Sequence, residues 1–261
     1  MADLVRCETE SGLAWVTLNR PEVRNALSFD ALAQLGEIVE TLQADQGIRV
    51  VLLTGEGDKA FSAGADLKER GGFSDDQTTA FVERIGDTFT AVAALPQPTI
   101  AVLNGGAFGG GLELALSCDL RVAAEGIQMG LTETSLAIIP AAGGTQRLTA
   151  LIGPARAKEM IFTARRIDTE EALAIGLVND VAPADELRAR ASDLAGAIAK
   201  NGPLAVRAAK AAIDLDQGCT PMSDRLARER ALYFEGIMPS KDRLEALEAF
   251  REKRPPEFQG E

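Results

Sequence analysis

The sequence predicts an α/β fold in which strands and helices alternate, followed by a C-terminal segment that is helical throughout. The apolar run at residues 50–54 has the length and composition of a strand that is buried on both faces. A second apolar run, at residues 99–103, is entered through Pro96 and Pro98 and also indicates a strand. Between residues 185 and 250 the helical spacing of apolar residues is almost continuous. Such an order of elements is typical of a parallel sheet covered by helices.

The predicted strands are short, and turn-forming residues bound them. Ser11 and Gly12 join the first two strands as a hairpin, and the segment 19–21, which ends in proline, stops the second strand. The predicted strands span residues 4–9, 13–18, 50–54, 99–103, 120–123 and 177–181.

The predicted helices begin at capping residues or at proline. Ser28 and Ser74 are suitable N-caps, and Pro154 can occupy the first turn of a helix. The predicted helices span residues 29–43, 75–95, 112–117, 146–152 and 154–163, another begins at residue 169, and the C-terminal helices break near residues 201–203 and 218–221.

The composition is that of an ordinary globular protein. Of the 261 residues, 46% are hydrophobic and 25% are charged. No apolar run approaches the roughly 20 residues that a membrane-spanning helix needs. The N-terminal region carries acidic residues such as Glu8 and Glu10 and no basic stretch that leads into an apolar one, which argues against a signal peptide. We therefore expect a cytoplasmic protein that does not enter a membrane.

The absence of histidine restricts the chemistry of this chain. Without histidine, no Ser-His-Asp, Cys-His or histidine–metal scheme can operate within it, so acid–base catalysis must use carboxylates, lysine, tyrosine or cysteine. Its three cysteines, Cys7, Cys118 and Cys219, lack the spacing of metal ligands and are typical of reduced thiols. The net charge of −12 disfavours a nucleic-acid partner, because phosphate binding requires a basic face.

The segment 104–118 is the most distinctive stretch of the sequence, since five glycines fall within seven positions and an apolar helix-forming run follows. Its spacing fits neither a P-loop nor a G-x-G-x-x-G nucleotide motif. A strand, a glycine turn and a helix N-terminus can instead offer backbone N–H groups to an oxygen that becomes negative, as in an oxyanion hole. The alternative is tight packing, in which the glycines let the helix approach a strand.

Two glutamates are candidate acid–base groups. Glu113 has apolar neighbours, such as Leu112 and Leu114, that leave it no polar face, so burial is predicted to raise its pKa. Glu133 follows 20 residues later and precedes an apolar run. A pair of carboxylates could hold one water molecule and divide the acid and base roles. The alternatives are that each glutamate caps a helix or is exposed.

A second small-residue loop, at residues 63–66, could give another backbone N–H donor and complete an oxyanion hole with Gly110. Within this loop, Asp66 is predicted to cap the following turn. Several basic residues could gather on a phosphorylated ligand or simply be solvated, namely Arg24, Lys59, Lys68, Arg70, Lys253 and Arg254.

Four segments together resemble the enoyl-CoA hydratase/isomerase family, also called the crotonase family. They are NRPEVRNAL at 19–27, KAFSAGADLK at 59–68, NGGAFGGGLELA at 104–115 and IIPAAGGTQRL at 138–148. The resemblance continues to FREKR at 250–254 and so covers nearly the whole chain. The order and spacing of the four segments are far more specific than any one of them.

The resemblance implies a fold and an assembly. The fold is a spiral of ββα units, here residues 1–195, with a helical trimerisation region at residues 196–261. The assembly is a homotrimer or a hexamer of two stacked trimers. The substrate is an acyl-CoA thioester, and no cofactor is needed beyond the CoA that the substrate itself carries. No metal site, nucleic-acid partner or membrane association is implied.

The resemblance also assigns roles to individual residues. The backbone N–H groups of Ala65 and Gly110 would polarise the thioester carbonyl, and Glu113 and Glu133 match both glutamates of the hydratase branch. We assign Glu113 to the attacking water and Glu133 to the proton at C2. The implied CoA- and substrate-binding residues are Arg24, Ala63, Gly64, Asp66, Leu67 and Lys68, with Phe250 and Lys253 reaching in from a neighbouring subunit.

The implied reaction is the addition of water to a 2-enoyl-CoA by a hydro-lyase. Segment 129–140 resembles the branch that contains 3-methylglutaconyl-CoA hydratase of leucine breakdown. One member of that branch binds RNA through a lysine-rich helix, but the matching helix here, at 29–43, has no lysine. Ala141 departs from the glycine of many relatives. The alternatives are an enoyl-CoA isomerase, a general short-chain enoyl-CoA hydratase and, disfavoured by charge, an RNA-binding protein.

Overall fold

A computed structural model of the chain describes residues 3–214 and 220–261. Its core holds two sheets. The larger has six strands in the order β1-β2-β3-β5-β7-β10, all neighbours being parallel except the β1–β2 hairpin. The smaller has the order β4-β6-β8-β9 and is parallel except for its last pair. The strands are β1 Val5–Glu10, β2 Leu13–Leu18, β3 Val50–Gly55, β4 Ala60–Ser62, β5 Thr99–Leu103, β6 Gly106–Phe108, β7 Leu120–Ala124, β8 Gln128–Gly130, β9 Ile167–Asp168 and β10 Asp180–Ala182.

The chain repeats one unit along the two sheets. Three times in succession a strand of the larger sheet is followed by a short strand of the smaller sheet and then by a helical segment, starting at β3, β5 and β7. Each repeat places its strands beside those of the repeat before, so the chain advances as a spiral. The predicted α/β spiral of ββα units is therefore confirmed.

The larger sheet is buried on both faces, as the apolar run at 50–54 predicts. Alternate residues of β3 enter two separate clusters. Val51 and Leu53 pack into the main core beneath the helices, whereas Val50 and Leu52 face the opposite cluster, which is closed by Ala191 and other small residues of the helix Leu187–Ala199. Since strand side chains alternate between faces, a strand covered on both sides must be apolar at every position.

Most helices agree closely with the predicted ones, but the helix Leu67–Arg70 is not predicted, and the helices Gly110–Leu116 and Gly144–Ile152 each begin two residues before their predicted start. Helix α4 begins at Gly110, two residues before the predicted start, directly after Gly109 with φ of 51°. A side chain on Gly111 would collide with the backbone of Ser62, since its Cβ would lie 2.2 Å from the Ser62 carbonyl oxygen. The helices are α1 Phe29–Ala44, α2 Leu67–Arg70, α3 Asp75–Ala93, α4 Gly110–Leu116, α5 Gly144–Ile152, α6 Pro154–Thr163, α7 Thr169–Ala174, α8 Leu187–Ala199, α9 Pro203–Ile213, α10 Met222–Leu232 and α11 Lys241–Glu252.

The strand predicted at 177–181 is wrong over its first three residues, because the strand is β10, Asp180–Ala182. Leu177 and Val178 are buried, but they lie outside the sheet. The carbonyl of Leu177 accepts a hydrogen bond from the buried guanidinium of Arg121 at 2.7 Å, and the backbone N–H of Arg121 donates to the side-chain Oδ1 of Asn179 at 2.9 Å. The side chains of Arg121 and Asn179 thus satisfy backbone groups that a strand ladder would otherwise pair.

The C-terminal segment is helical, as predicted, and contains breaks before α9 and α10 and between residues 238 and 240. The predicted break at 218–221 lies partly outside the described residues. The predicted division at residue 195 falls within α8, which packs on the larger sheet, and it stays a prediction. None of the described helices is both long and apolar enough to cross a bilayer.

Candidate active site

Glu113 lies in the first turn of α4, and its carboxylate is held by two backbone donors. The N–H groups of Ala142 and Gly144 donate to Oε1 at 2.9 and 2.8 Å. The side chain is only 3% exposed. Burial raises the pKa of Glu113, while the two N–H donors and the positive charge of Arg147 oppose the rise. The carboxylate is therefore fixed in orientation and keeps its second oxygen available to a ligand.

Glu133 is also buried, but its carboxylate is not held. It is 8% exposed, and neither carboxylate oxygen has a hydrogen-bond partner among the described residues. Burial raises the pKa of Glu133 to about 7, its own backbone N–H opposes the rise, and the negative charge of Glu113 adds to it. A Cβ on Gly109 would lie 3.2 Å from Oε1 of Glu133, which places this carboxylate beside the glycine turn. Buried polar groups are normally paired, so an unpaired carboxyl facing a cavity indicates a functional group.

The backbone N–H groups of Ala65 and Gly110 lie next to each other. A Cβ on Gly110 would lie 3.5 Å from the nitrogen of Ala65, and one on Gly64 would lie 3.0 Å from the nitrogen of Gly110. Gly110 is the first residue of α4, so its N–H has no acceptor within the helix. Across the described residues no hydrogen bond from either N–H is found. Two adjacent free donors are the geometry of an oxyanion hole.

The loop that carries Ala65 is fixed by two buried side chains. The hydroxyl of Ser62 donates to the carbonyl of Asn25 at 2.8 Å and accepts from the N–H of Gly64 at 3.1 Å. The amide of Asn25 in turn donates to the carbonyls of Glu56 and Ala60. Because these bonds are buried, they hold the Ala65 donor in place before any ligand binds.

The four groups line a single cavity of about 530 Å³. Helix α3 forms one wall with residues spaced three and four apart, which share one helical face. The lining is mostly apolar apart from Arg70 and the two glutamates. Its residues are Ala63, Gly64, Ala65, Leu67, Arg70, Thr78, Phe81, Val82, Ile85, Gly109, Gly110, Glu113, Thr132, Glu133, Leu136, Ala137, Ile138, Ile139, Ala141 and Ala142.

Comparison with known proteins identifies the family. The model of the family described as enoyl-CoA hydratase/isomerase matches residues 8–261. The chain belongs to the enoyl-CoA hydratase/isomerase family. Among its relatives, YngF of Bacillus subtilis, which carries the name of the same family, is 51% identical over 95% of each chain. Human mitochondrial methylglutaconyl-CoA hydratase is 46% identical over 97% of this chain and 76% of that protein.

A solved structure supports the same assignment. The crystal structure of an enoyl-CoA hydratase from Bacillus anthracis superposes with a TM-score of 0.96 at 48% identity, over 99% of this chain and 100% of that one. The crotonase fold is thereby established for this chain, and so is its membership in a family of enzymes that act on acyl-CoA thioesters.

Of the residues that the family resemblance assigns to CoA binding, some line one of two cavities and the others lie outside both. Ala63, Gly64 and Leu67 line the cavity beside the oxyanion hole. Arg24 lines a separate polar cavity of about 290 Å³ together with Lys59. These assignments remain predictions.

Asp66, Lys68, Phe250 and Lys253 lie outside both cavities. The carboxylate of Asp66 caps α2 and pairs with Arg20 at 3.0 Å, so the predicted capping role is confirmed. Lys68 is exposed on α2. Phe250 and Lys253 lie near the end of α11, and the Phe250 side chain is 84% exposed.

The sequence-based site omitted the apolar wall of the cavity. Thr78, Phe81, Val82 and Ile85 lie on one face of α3, and their spacing could have identified a shared face but not what it contacts. The sequence places Arg70 among the basic residues that could bind a phosphorylated ligand, whereas in the structure it lines the cavity. Among residues 3–214 and 220–261, no cluster of three or more metal-ligating side chains is present.

Proposed function

We propose that the protein is a hydro-lyase that adds water across the 2,3 double bond of a 2-enoyl-CoA thioester. One observation carries the proposal: two buried glutamates, one fixed and one unpaired, line the same cavity as two adjacent free backbone N–H groups. A hydratase needs a base for water, an acid for C2 and donors for the enolate oxygen, and this cavity offers all three.

In the proposed reaction the thioester carbonyl accepts hydrogen bonds from Ala65 and Gly110. Attack of water at C3 moves the electrons of the double bond towards the carbonyl oxygen, which becomes an enolate oxygen. The two N–H donors are already in place, so no reorganisation is needed when this charge develops. No cofactor takes part, and the CoA enters as part of the substrate.

The two glutamates divide the proton transfers. We assign the water to Glu113, because two N–H donors on Oε1 fix its orientation and leave Oε2 to accept a proton from the water. We assign the C2 proton to Glu133, since burial raises its pKa to about 7, so that a substantial fraction of this unpaired carboxyl is protonated near neutral pH. The C3–O bond and the C2–H bond form as the double bond is lost.

The substrate within this class is proposed to be 3-methylglutaconyl-CoA, an intermediate of leucine breakdown. Its support is the 46% identity to the human, mouse and rat proteins named methylglutaconyl-CoA hydratase. The second candidate is a general short-chain enoyl-CoA, supported by the B. anthracis structure described as an enoyl-CoA hydratase. A panel of crotonyl-, longer 2-enoyl- and 3-methylglutaconyl-CoA ranks the candidates by kcat/KM.

The test of the reaction itself is the loss of enoyl absorbance when the protein is mixed with crotonyl-CoA. A hydratase removes the conjugated double bond and forms 3-hydroxybutyryl-CoA. An isomerase would leave this substrate unchanged and would instead convert a 3-enoyl-CoA to the conjugated 2-enoyl-CoA. Absence of hydration on every 2-enoyl-CoA of the panel would refute the proposal.

We also propose that the protein forms a homotrimer or a hexamer. Helices α10 and α11 and the turn between them expose large apolar side chains, which in a single chain would face water, and such patches mark interfaces. In the proposed assembly, Phe250 and Lys253 reach the CoA site of a neighbour. Sedimentation equilibrium gives the number of subunits, and a monomer would contradict this. The exposed side chains are Met222, Leu226, Tyr233, Phe234, Met238, Leu244, Leu247 and Phe250.

The cytoplasmic location and the lack of a nucleic-acid partner are retained as proposals. The net charge of −12 and the lysine-free helix α1 support the second of them. Several relatives are mitochondrial by name, so cell fractionation is the deciding measurement for the first. A salt-dependent shift of an AU-rich RNA by this protein would contradict the second.

A further inference from the structure

Arg70 is a cation without a carboxylate partner at the wall of the active-site cavity. It is the last residue of α2, is partly buried, and lies with Cζ 5.7 Å from the ring centre of Phe81. No ion pair with Arg70 is found within residues 3–214 and 220–261. Of the two acids near it in the chain, Asp66 pairs with Arg20, and Glu69 accepts from the backbone N–H of Phe29 at 3.1 Å.

The surroundings of Arg70 make this cation unusual. The only other charged residues among those lining the cavity are Glu113 and Glu133, which the proposed reaction already uses. The rest of the lining near Arg70 is apolar, with Leu67, Phe81 and Val82 as neighbours along the wall. Arg70 is only partly buried, so water solvates the guanidinium in the absence of a ligand. A ligand that displaces this water is favoured if it brings a negative group to this wall.

Helix α3 links Arg70 to the oxyanion hole along one wall of the cavity. At one end of the wall, Ile85 Cδ1 lies 3.2 Å from where a Cβ on Gly110 would be. Phe81, whose ring centre lies 5.7 Å from Cζ of Arg70, is one helical turn earlier on the same face of α3. The guanidinium and the two N–H donors therefore border the same apolar wall of one cavity.

We propose that Arg70 is a specificity-determining residue that binds the free carboxylate of a short dicarboxylic acyl-CoA. This rests on the proposed function in one respect, namely that the thioester carbonyl sits at Ala65 and Gly110. The planar guanidinium can bind a carboxylate through two parallel hydrogen bonds, which fixes both the distance and the direction of the acyl chain. A monocarboxylic chain of the same length would leave the guanidinium unpaired, so the site discriminates against it.

The decisive measurement is the binding of two saturated thioesters, glutaryl-CoA and butyryl-CoA, by isothermal titration calorimetry. Both lack the 2,3 double bond and cannot be hydrated, and they differ by the terminal carboxylate. Arg70→Gln is expected to reduce the preference for glutaryl-CoA over butyryl-CoA by about 10- to 100-fold, the range for a hydrogen bond to a charged group. Arg70→Lys keeps the charge but not the bidentate geometry, and is expected to lose part of the preference.

Arg84→Gln is the matched control, because Arg84 is an exposed arginine of α3 that does not line the cavity. It removes the same charge and is expected to leave the preference as in the wild type. Binding of butyryl-CoA by Arg70→Gln also reports that the variant has folded. The proposal is overturned if Arg70→Gln weakens both thioesters equally, which would assign Arg70 to the CoA moiety, or if it changes neither.

A kinetic arm separates this inference from the proposed function. The wild type is expected to hydrate glutaconyl-CoA with a higher kcat/KM than crotonyl-CoA, and Arg70→Gln is expected to lower that ratio. If neither substrate is hydrated while the binding preference depends on Arg70, the proposed reaction fails and the carboxylate site stands. If both substrates are hydrated and the ratio is the same in Arg70→Gln, the reaction stands and the carboxylate site fails.

Discussion

The two glutamates of the active site are held by opposite kinds of structure. Glu113 belongs to a buried helix, and a neighbouring loop gives it two N–H donors. Glu133 starts a single 3₁₀ turn, Glu133–Leu136, and its carboxylate has no partner in the described part of the chain. Thr134 anchors this turn by donating to the carbonyl of Ile161, whereas no hydrogen bond to the Glu133 carboxylate is found among the described residues.

The difference indicates how one cavity can supply both an acid and a base. Burial raises the pKa of both glutamates, but at Glu113 two N–H donors and the charge of Arg147 oppose the rise, whereas at Glu133 the charge of Glu113 adds to it. The fixed group is suited to orienting a water molecule. The group without a hydrogen-bond partner, whose pKa is about 7, is suited to carrying a proton.

The largest expected effect follows from removing either acid. Glu113→Gln and Glu133→Gln are each expected to lower kcat for hydration of a 2-enoyl-CoA by about 10²- to 10⁴-fold, since each removes one proton-transfer group. The double variant is expected to lose little more than the worse single variant, because the two groups act in one step. Steady-state kinetics on crotonyl- and 3-methylglutaconyl-CoA measure this.

Glu83→Gln is the control for these variants, because Glu83 is an exposed glutamate of α3 outside the cavity lining. Its turnover is expected to match the wild type. Turnover that persisted in both Glu113→Gln and Glu133→Gln would remove the basis for a two-glutamate mechanism.

The next largest expected effect is on the pH dependence of protein stability, to which Glu133 contributes. Burial raises the pKa of Glu133 from an ordinary 4.5 to about 7, so between these values the folded protein binds more protons than the unfolded chain. The contribution of Glu133 is therefore fully present below about pH 4.5 and is lost as the pH rises through about 7, by roughly 3 kcal/mol in total. Glu133→Gln removes this loss. The free energy of unfolding of the variant is therefore expected to rise relative to that of the wild type between pH 5 and pH 8.

Urea unfolding of both proteins at pH 5 and pH 8 measures this difference in the free energy of unfolding. The Glu83→Gln control is expected to follow the wild type at both pH values. A variant-to-wild-type difference that is the same at pH 5 and pH 8 would show that Glu133 does not titrate between them, and the contrast between the two carboxylates would lose its electrostatic basis.

Much of this fold was predictable because its larger sheet has strong local signals. The run at 50–54 is apolar at every position, and helices such as Pro154–Thr163 begin at residues that start helices elsewhere. The smaller sheet is not predicted because its strands are only two or three residues long, and three of them, β4, β6 and β8, contain a glycine or lie close to one. Such strands have no periodicity of their own and form only when the longer strands have set their positions.

The candidate active site was likewise predictable only in part. The absence of histidine and the apolar neighbours of Glu113 predict a carboxylate mechanism from residues alone, and the small-residue loop at 63–66 indicates a second donor beside Gly110, whereas the choice of Ala65 within that loop requires the family resemblance. Neither source placed the wall of α3 or the guanidinium of Arg70 in the cavity, because those contacts join segments through tertiary packing. The glycines also proved to have two uses, since Gly111 allows close packing and Gly110 supplies a donor.

The smallest expected effect tests whether the fixed position of Glu113 matters by itself. A Cβ on Gly144 would lie 2.8 Å from Oε1 and 2.9 Å from Cγ of Glu113, and 2.9 Å from Cβ of Pro140, so Gly144→Ala is expected to displace the carboxylate or the loop that holds it without changing the chemistry of Glu113. A misplaced catalytic group is expected to cost about 10- to 100-fold in kcat. Gly36→Ala, at a helical glycine with nothing within 4 Å of its Cβ, is the control and is expected to leave turnover unchanged.

A double-mutant cycle then locates the effect of Gly144→Ala. Combined with Glu113→Gln it is expected to add little, because the group that it displaces has already been disabled, whereas combined with Glu133→Gln it should still displace an intact Glu113 and lower residual turnover further. Equal losses in both backgrounds would mean that the alanine acts on the cavity as a whole. The fixed and the unpaired glutamate would then no longer be separable by the structures that hold them.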